Sequence, residues 1–224
     1  MLIVLTGIDG AGKSTAARAL LESARDEGTE VLVLNNHAGR RRMSLLCARF
    51  GVQLPPRLAD AVETSIRVAN VLVSHARAWR FQGLVIMDRH LHCQLALREA
   101  KGIPRGWLLP RLLDALPAPD VVAHLDVDPR LAHSRILARG TDEESLADLS
   151  VFRQAYQSLP EYPGFAEIDA GAPAADVLAR VKEAAETASP GFVWSPSRKN
   201  VRNSPPAWRG RRPRHTLRES APPW

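Results

Sequence analysis

The run Gly7-Ile8-Asp9-Gly10-Ala11-Gly12-Lys13-Ser14-Thr15 has the residue types and spacing of a loop that grips phosphate, G-x-x-x-x-G-K-[ST]. Gly10 and Gly12 let the backbone turn so that successive N–H groups point inward at phosphate oxygens. A helix opening at Lys13 adds the positive end of its dipole. Lys13 is placed to reach β- and γ-phosphates, and the Ser14 hydroxyl to hold Mg²⁺. The bland alternative, a glycine-rich turn with an incidental lysine, is disfavoured by the apolar strand before the loop and the helix after it. The pattern points to a nucleoside triphosphate such as ATP and leaves open what is done with it.

A second constellation, Asp88-Arg89-His90, follows the apolar run Leu84–Met87. No Asn-Lys-x-Asp guanine signature occurs late in the chain, which argues against a GTPase switch. A motor ATPase wants an acidic pair at this strand end, but here a single acid, Asp88, is followed by Arg89. An arginine beside a magnesium-supporting acid can hold the phosphate of an acceptor, which favours a kinase. A structural ion pair at a strand end is the competing reading.

These residues must be positioned by strands and helices that alternate along the chain. Short apolar runs at 2–6, 31–34, 84–87, 121–125 and 165–168 read as buried strands. Helical spacing runs over about 13–25, 57–80, 108–116, 129–138, 145–158 and 174–188, with Pro129 where a helix N-terminus accepts it. The alternation predicts an α/β fold with a parallel sheet covered on both faces.

Charge and composition separate the chain into two parts. Residues 189–224 hold eight basic residues against one acid, giving +7, so the formal +6 of the whole chain leaves −1 for residues 1–188. The nearly neutral body gives no reason to expect nucleic acid as its partner. The basic segment carries seven prolines without periodicity and reads as a disordered tail. Its arginines, interleaved with Trp194, Trp208 and Trp224, could touch single strands by charge and stacking, though a solvated extension is the favoured reading. Cys47 and Cys93 have no metal or disulfide spacing, and His37, His75, His92 and His133 form no metal-spaced cluster. The apolar start lacks a signal peptide's basic region and no stretch reaches membrane-span length, so the expected location is cytoplasmic.

The loop with Asp9 inside it, together with Asp88-Arg89-His90, resembles the thymidylate kinase family. The likeness continues through Asp126-Val127-Asp128-Pro129, Arg135 to Gly140, Asp148-Leu149, Phe152 to Tyr156 and Ile168-Asp169-Ala170, covering about residues 1–188. It implies a P-loop NTPase three-layer sandwich with a five-stranded parallel sheet in the order 2-3-1-4-5. It also implies ATP and Mg²⁺ as cofactors and a nucleotide acceptor, most simply dTMP converted to dTDP. By resemblance, Asp9 contacts the acceptor's 3′-hydroxyl, Arg89 clamps its phosphate, Arg67 binds the acceptor, and Asp88 supports Mg²⁺ with Ser14. Arg135 and Arg139 border a polar segment, 141–145, where the family has its lid. The loop itself carries Ala11 and no arginine, so the lid arginines supply charge to the transferring group. The resemblance further implies that Ala170-Gly171-Ala172 lies against the adenine and makes the long helix at 57–80 the candidate dimer helix.

The sequence departs from the family where the acceptor base should sit. The loop after the second strand reads Asn35-Asn36-His37-Ala38-Gly39-Arg40, unlike the family's usual versions. Glu63 stands where an aromatic ring stacks on thymine, and Leu97 where a ring packs by the sugar. A lost stacking ring removes roughly 1–3 kcal/mol per base, and a carboxylate favours an exocyclic amine instead. A different or modified pyrimidine nucleotide, or a nucleoside, is therefore the alternative acceptor. A non-catalytic nucleotide-binding regulator is the alternative outside enzymes.

Overall fold

The computed structural model describes residues 1–36, 55–140 and 144–192. Its core is one parallel sheet of β1 (Leu2–Thr6), β2 (Val31–Asn35), β3 (Leu84–Asp88), β4 (Val121–Asp126) and β5 (Ala166–Asp169). The strand order is β2-β3-β1-β4-β5, as the resemblance implied. β1 and β3 are central and are the most apolar and most buried strands, which is what a two-sided sheet demands.

The helices are α1 (Lys13–Asp26), α2 (Pro56–Trp79), α3 (Leu91–Ala100), α4 (Leu108–Ala115), α5 (Pro129–Arg139), α6 (Leu146–Gln157) and α7 (Ala174–Ala188). α1 packs on α7, while α3 packs on α2, α4 and α6. Local chemistry sets two of the starts. Asp128 caps α5 by accepting from the Arg130 N–H at 2.7 Å, with Pro129 in the first turn. Ser145 caps α6 by accepting from the Asp148 N–H at 3.1 Å.

α3 has no counterpart in the sequence reading, and the reason is physical. Seven successive residues of it, Leu91 to Leu97, are buried, so the helix has no polar face to reveal a 3.6-residue period. α2 departs from the usual pattern in the opposite way. Its inward side carries Asp60, Glu63, Thr64, Arg67, Ser74 and His75, all buried. A helix that turns so many polar side chains inward is facing something other than a hydrocarbon core.

The sheet register decides where the chemistry lies. Leu5 of β1 pairs with Asp88 of β3, and Asn35 of β2 pairs with the same residue. The carboxyl ends of these strands therefore finish at one level, beside the loop that leaves β1. Ligands of open α/β sheets bind at such strand ends.

Candidate active site

The loop between β1 and α1 keeps its shape through its glycines. Gly10 has φ +82°, and a Cβ there would sit 2.5 Å from the Ala132 carbonyl oxygen of α5. Gly12, at φ +88°, precedes α1 without any side-chain cap, which leaves the first N–H groups of the helix for an anion. Lys13 is buried and arches back over the loop, its Nζ donating to the carbonyls of Gly7 at 3.0 Å and Ile8 at 2.6 Å. Burial, then the nearby Arg89 cation, moves its pKa down.

Asp88 and Arg89 arrive from β3 beside this loop. The Ser14 hydroxyl donates to Asp88 Oδ2 at 2.7 Å. The other oxygen, Oδ1, is buried and has no protein partner, an arrangement suited to a hard cation or its water. The Arg89 guanidinium is ion-paired with Asp9, which lies 3.6 Å from Lys13 Nζ. Burial alone would raise the Asp9 carboxyl. Arg89 and Lys13, with the hydrogen bond from Arg89, outweigh it and hold the carboxyl far below the usual range. Burial would lower Arg89, but the Asp9 carboxylate outweighs that and raises it. Asp9, Lys13, Ser14, Asp88 and Arg89 thus form one cluster in which two cations face two carboxylates.

Arg67 joins the cluster through an intermediary that sequence reasoning passed over. Its Nη1 donates to the Asn36 carbonyl at 3.1 Å, and Asn36 in turn donates from Nδ2 to the Arg89 carbonyl at 2.8 Å. Arg67 Nε donates to Gln94 Oε1 at 3.0 Å. Gln94 then donates to Thr64 Oγ1 at 3.0 Å and Asp60 Oδ1 at 3.3 Å, and Asp60 holds Arg98 at 2.9 Å. Glu63 is buried beside this string, 4.0 Å from Arg67 and 3.4 Å from Lys101. A polar, charge-alternating seam between α2 and α3 therefore begins at Arg89 and runs away from the phosphate loop. The sequence signal for Gln94 was hidden in the buried stretch Leu91 to Leu97 of α3. That for Asn36 was its place one residue past β2, next to the Asn35 that pairs with Asp88.

The remaining predicted residues divide. Arg135 crosses the phosphate loop, with Nη1 donating to the Ala170 carbonyl at 3.0 Å and reaching Gly10 O at 3.5 Å. That contact also brings the 170–172 segment to the loop. Arg139 is exposed at the end of α5, and residues 141–143 of the polar segment lie outside the described residues. Arg153 is not free for a phosphate, because it forms a two-pronged pair with Asp126. His75 and His90 share a 2.9 Å hydrogen bond within the core, and no metal-holding group of His, Cys, Asp or Glu occurs among the described residues. Leu97 is buried, as an apolar substitute for a ring would be. The tail from 193 and the loop from His37 to Arg40 lie outside the described residues. Among the described residues, no helix is long and apolar enough to cross a membrane.

Arg89 follows the single acid Asp88 where a motor ATPase has its second acid, which favours a kinase. The relatives of the chain make it a P-loop nucleoside monophosphate kinase in class. Its sequence matches the family model for thymidylate kinase over residues 5–181. It is 35% identical over 188 residues to a thymidylate kinase of Xylella fastidiosa strain 9a5c, covering 80% of this chain and 86% of that one. It is 31% identical over 190 residues to a thymidylate kinase of Xanthomonas euvesicatoria pv. vesicatoria, covering 80% of each. The chain belongs to the thymidylate kinase family.

Proposed function

We propose that this protein transfers the γ-phosphoryl group of ATP to the phosphate of dTMP, forming dTDP, with Mg²⁺ as cofactor. The observation that carries the reading is the Asp9–Arg89 pair set against Lys13 at the mouth of the phosphate loop. It puts an acceptor-side cation within one residue's reach of the donor-side cation. Lys13 and the α1 N-terminus hold the donor phosphates, and Arg89 holds the acceptor phosphate. Asp9 fixes the direction of the Arg89 guanidinium and offers a second carboxylate oxygen to the sugar. Catalysis is then positioning and charge neutralisation, with no covalent role for the protein.

Ser14 and the orphaned Oδ1 of Asp88 are the groups that would hold Mg²⁺. The metal, when bound, neutralises charge on the phosphates being transferred. Arg135 and the lid arginine Arg139 add positive charge on the side of α5. The reading carries with it a cytoplasmic location. It also carries a homodimer contact along α2, where Leu58, Ile66, Leu72, Val73 and Trp79 are exposed.

A second acceptor reading rests on Glu63. A buried carboxylate beside Arg67 favours a pyrimidine nucleotide whose base presents an amine over one that stacks a methyl-bearing face. A coupled ADP-release assay across dTMP, dUMP, dCMP and the corresponding nucleosides, with Lys13→Ala as control, tests both. Turnover with dTMP dependent on Lys13 is the expected result. Turnover with a nucleoside but not its monophosphate would move the protein out of this class, and no acceptor-dependent ADP release would end the kinase reading.

A further inference from the structure

Arg89 is the one non-glycine residue with positive φ among those described, at 74°. That region crowds Cβ against the backbone, so a long side chain stays there only when its surroundings hold it. The conformation does two things at once. It ends β3 and starts α3 two residues later, and it swings the side chain across β1 to Asp9.

The holding contacts converge on Asn36. The Arg89 N–H is taken by the Leu5 carbonyl at 3.0 Å, which anchors the front of the peptide to β1. Its carbonyl accepts from Asn36 Nδ2 at 2.8 Å, and the Asp88 carbonyl accepts from the Asn36 N–H at 2.9 Å. Asn36 is fully buried, so neither bond is exchanged with water. Its amide must face the right way, because a carbonyl can only accept. Ser74 settles this from α2: its hydroxyl donates to Asn36 Oδ1 at 2.7 Å, leaving Nδ2 for Arg89. The Asn36 carbonyl then receives Arg67 Nη1 at 3.1 Å. One buried residue thus links both Asp88 and Arg89 to the acceptor-side seam, its side chain holding the Arg89 carbonyl and its own main chain holding the Asp88 carbonyl and Arg67.

We propose that Asn36, oriented by Ser74, is the positioning residue of the acceptor-phosphate clamp. It keeps Arg89 in its left-handed conformation and so keeps the guanidinium aimed at the reacting phosphate. The residue type is specified: aspartate would present two acceptors to the Arg89 carbonyl, and an apolar side chain would present nothing. The inference rests on the reading of Arg89 as the phosphate-binding cation.

Steady-state kinetics in both substrates provide the test, because a displaced clamp acts on one of them. Asn36→Ala and the near-isosteric Asn36→Asp should each lower kcat roughly 10- to 100-fold, as small misplacements of a positioned group do. The KM for dTMP should rise, while the KM for ATP changes less than about twofold. Ser74→Ala should give a smaller loss with the same pattern, and it keeps the test open should either Asn36 variant fail to fold. The decisive measurement is the cycle with Arg89→Ala, followed at high enzyme concentration. In that background Asn36→Ala should change turnover less than about twofold, because the group it positions is gone. An equal loss in both backgrounds, or a loss expressed in the KM for ATP, would show a general structural role and overturn the proposal. If Arg89→Ala keeps wild-type turnover, the reading of Arg89 falls and the role of Asn36 with it. If Arg89→Ala loses turnover while Asn36→Ala, Asn36→Asp and Ser74→Ala keep it, only the positioning role of Asn36 falls.

Discussion

Ser14 and Asp88, 74 residues apart in sequence, meet in a 2.7 Å hydrogen bond that uses only one oxygen of the carboxylate. The other oxygen is buried and without a protein partner. Leaving a buried carboxylate oxygen unpaired costs stability unless a ligand takes it up. Under the proposed function, this free oxygen is the one that would hold Mg²⁺ or its water.

Asp88→Asn tests this directly. The amide can still accept from Ser14 but no longer carries a charge for the cation. The Mg²⁺ concentration giving half-maximal turnover should rise about 10- to 100-fold, with the melting temperature nearly unchanged in metal-free buffer. A Mg²⁺ dependence identical to the wild type would remove Asp88 from the metal site.

Lys13→Ala should abolish most turnover, since the ammonium is the donor-side charge nearest the loop. Loss of about 10²- to 10³-fold in kcat is the scale for removing one preorganised donor. Because Lys13 also ties down the Gly7 and Ile8 carbonyls, the loop should loosen as well. Hydrogen exchange of the Gly10–Ser14 amides should therefore quicken in the variant. Unchanged exchange would confine Lys13 to catalysis alone.

Glu63 tests the acceptor end. Its burial within 4.0 Å of Arg67 confirms that the two share a face of α2 one turn apart, so a ring introduced there reaches the same space. Glu63→Phe should lower the KM for dTMP several-fold, against a stacking contact of about 1–3 kcal/mol. Glu63→Gln, which keeps the shape and removes the charge, should leave dTMP use nearly unchanged and weaken any use of dCMP. An unaltered acceptor profile in both variants would place position 63 outside the base site.

The parts of this site that could be read from the sequence are those whose chemistry has a local spacing. The phosphate loop must be a contiguous strand–glycine–helix unit, and Asp88-Arg89 must follow a buried strand, so both stood out. The sheet order came with the resemblance rather than from any strand's own composition. Hidden were residues whose meaning depends on what faces them. Gln94 lies in a run of seven buried residues, where periodicity vanishes. Asn36 matters only because β2 and β3 end together. Arg153 shows no sign in the sequence of its partner Asp126, which lies 27 residues away on β4. Side chains that bridge distant segments leave no pattern in a single stretch of chain.

The buried imidazoles make a prediction about stability. His92 and His124 both have their pKa pushed down to about 4 from 6.5, first by burial, with nearby Glu161 for His92 and Asp126 for His124 opposing it. His75 and His90 are lowered in the same direction by burial. In the unfolded chain these rings take up protons below about pH 6.5, whereas the folded His92 and His124 resist until about pH 4. The unfolded state therefore binds more protons across that window, and stability must fall as the pH drops through it. Above pH 6.5 the effect is absent, and below about pH 4 these two groups add nothing further. Each ring contributes on the order of 3 kcal/mol of lost stability over the window. Denaturant midpoints measured at pH 7, 6, 5 and 4.5 should decline progressively. His92 packs edge-on against Phe165 at 5.0 Å and its Nδ1 has no partner, so His92→Phe removes the titrating group while keeping a ring. The slope between pH 6.5 and 4.5 should be shallower in this variant, with stability at pH 7 equal or higher. A wild-type midpoint that does not move between pH 6.5 and 5, or an unchanged slope in His92→Phe, would mean that these rings take up protons without the fold opening.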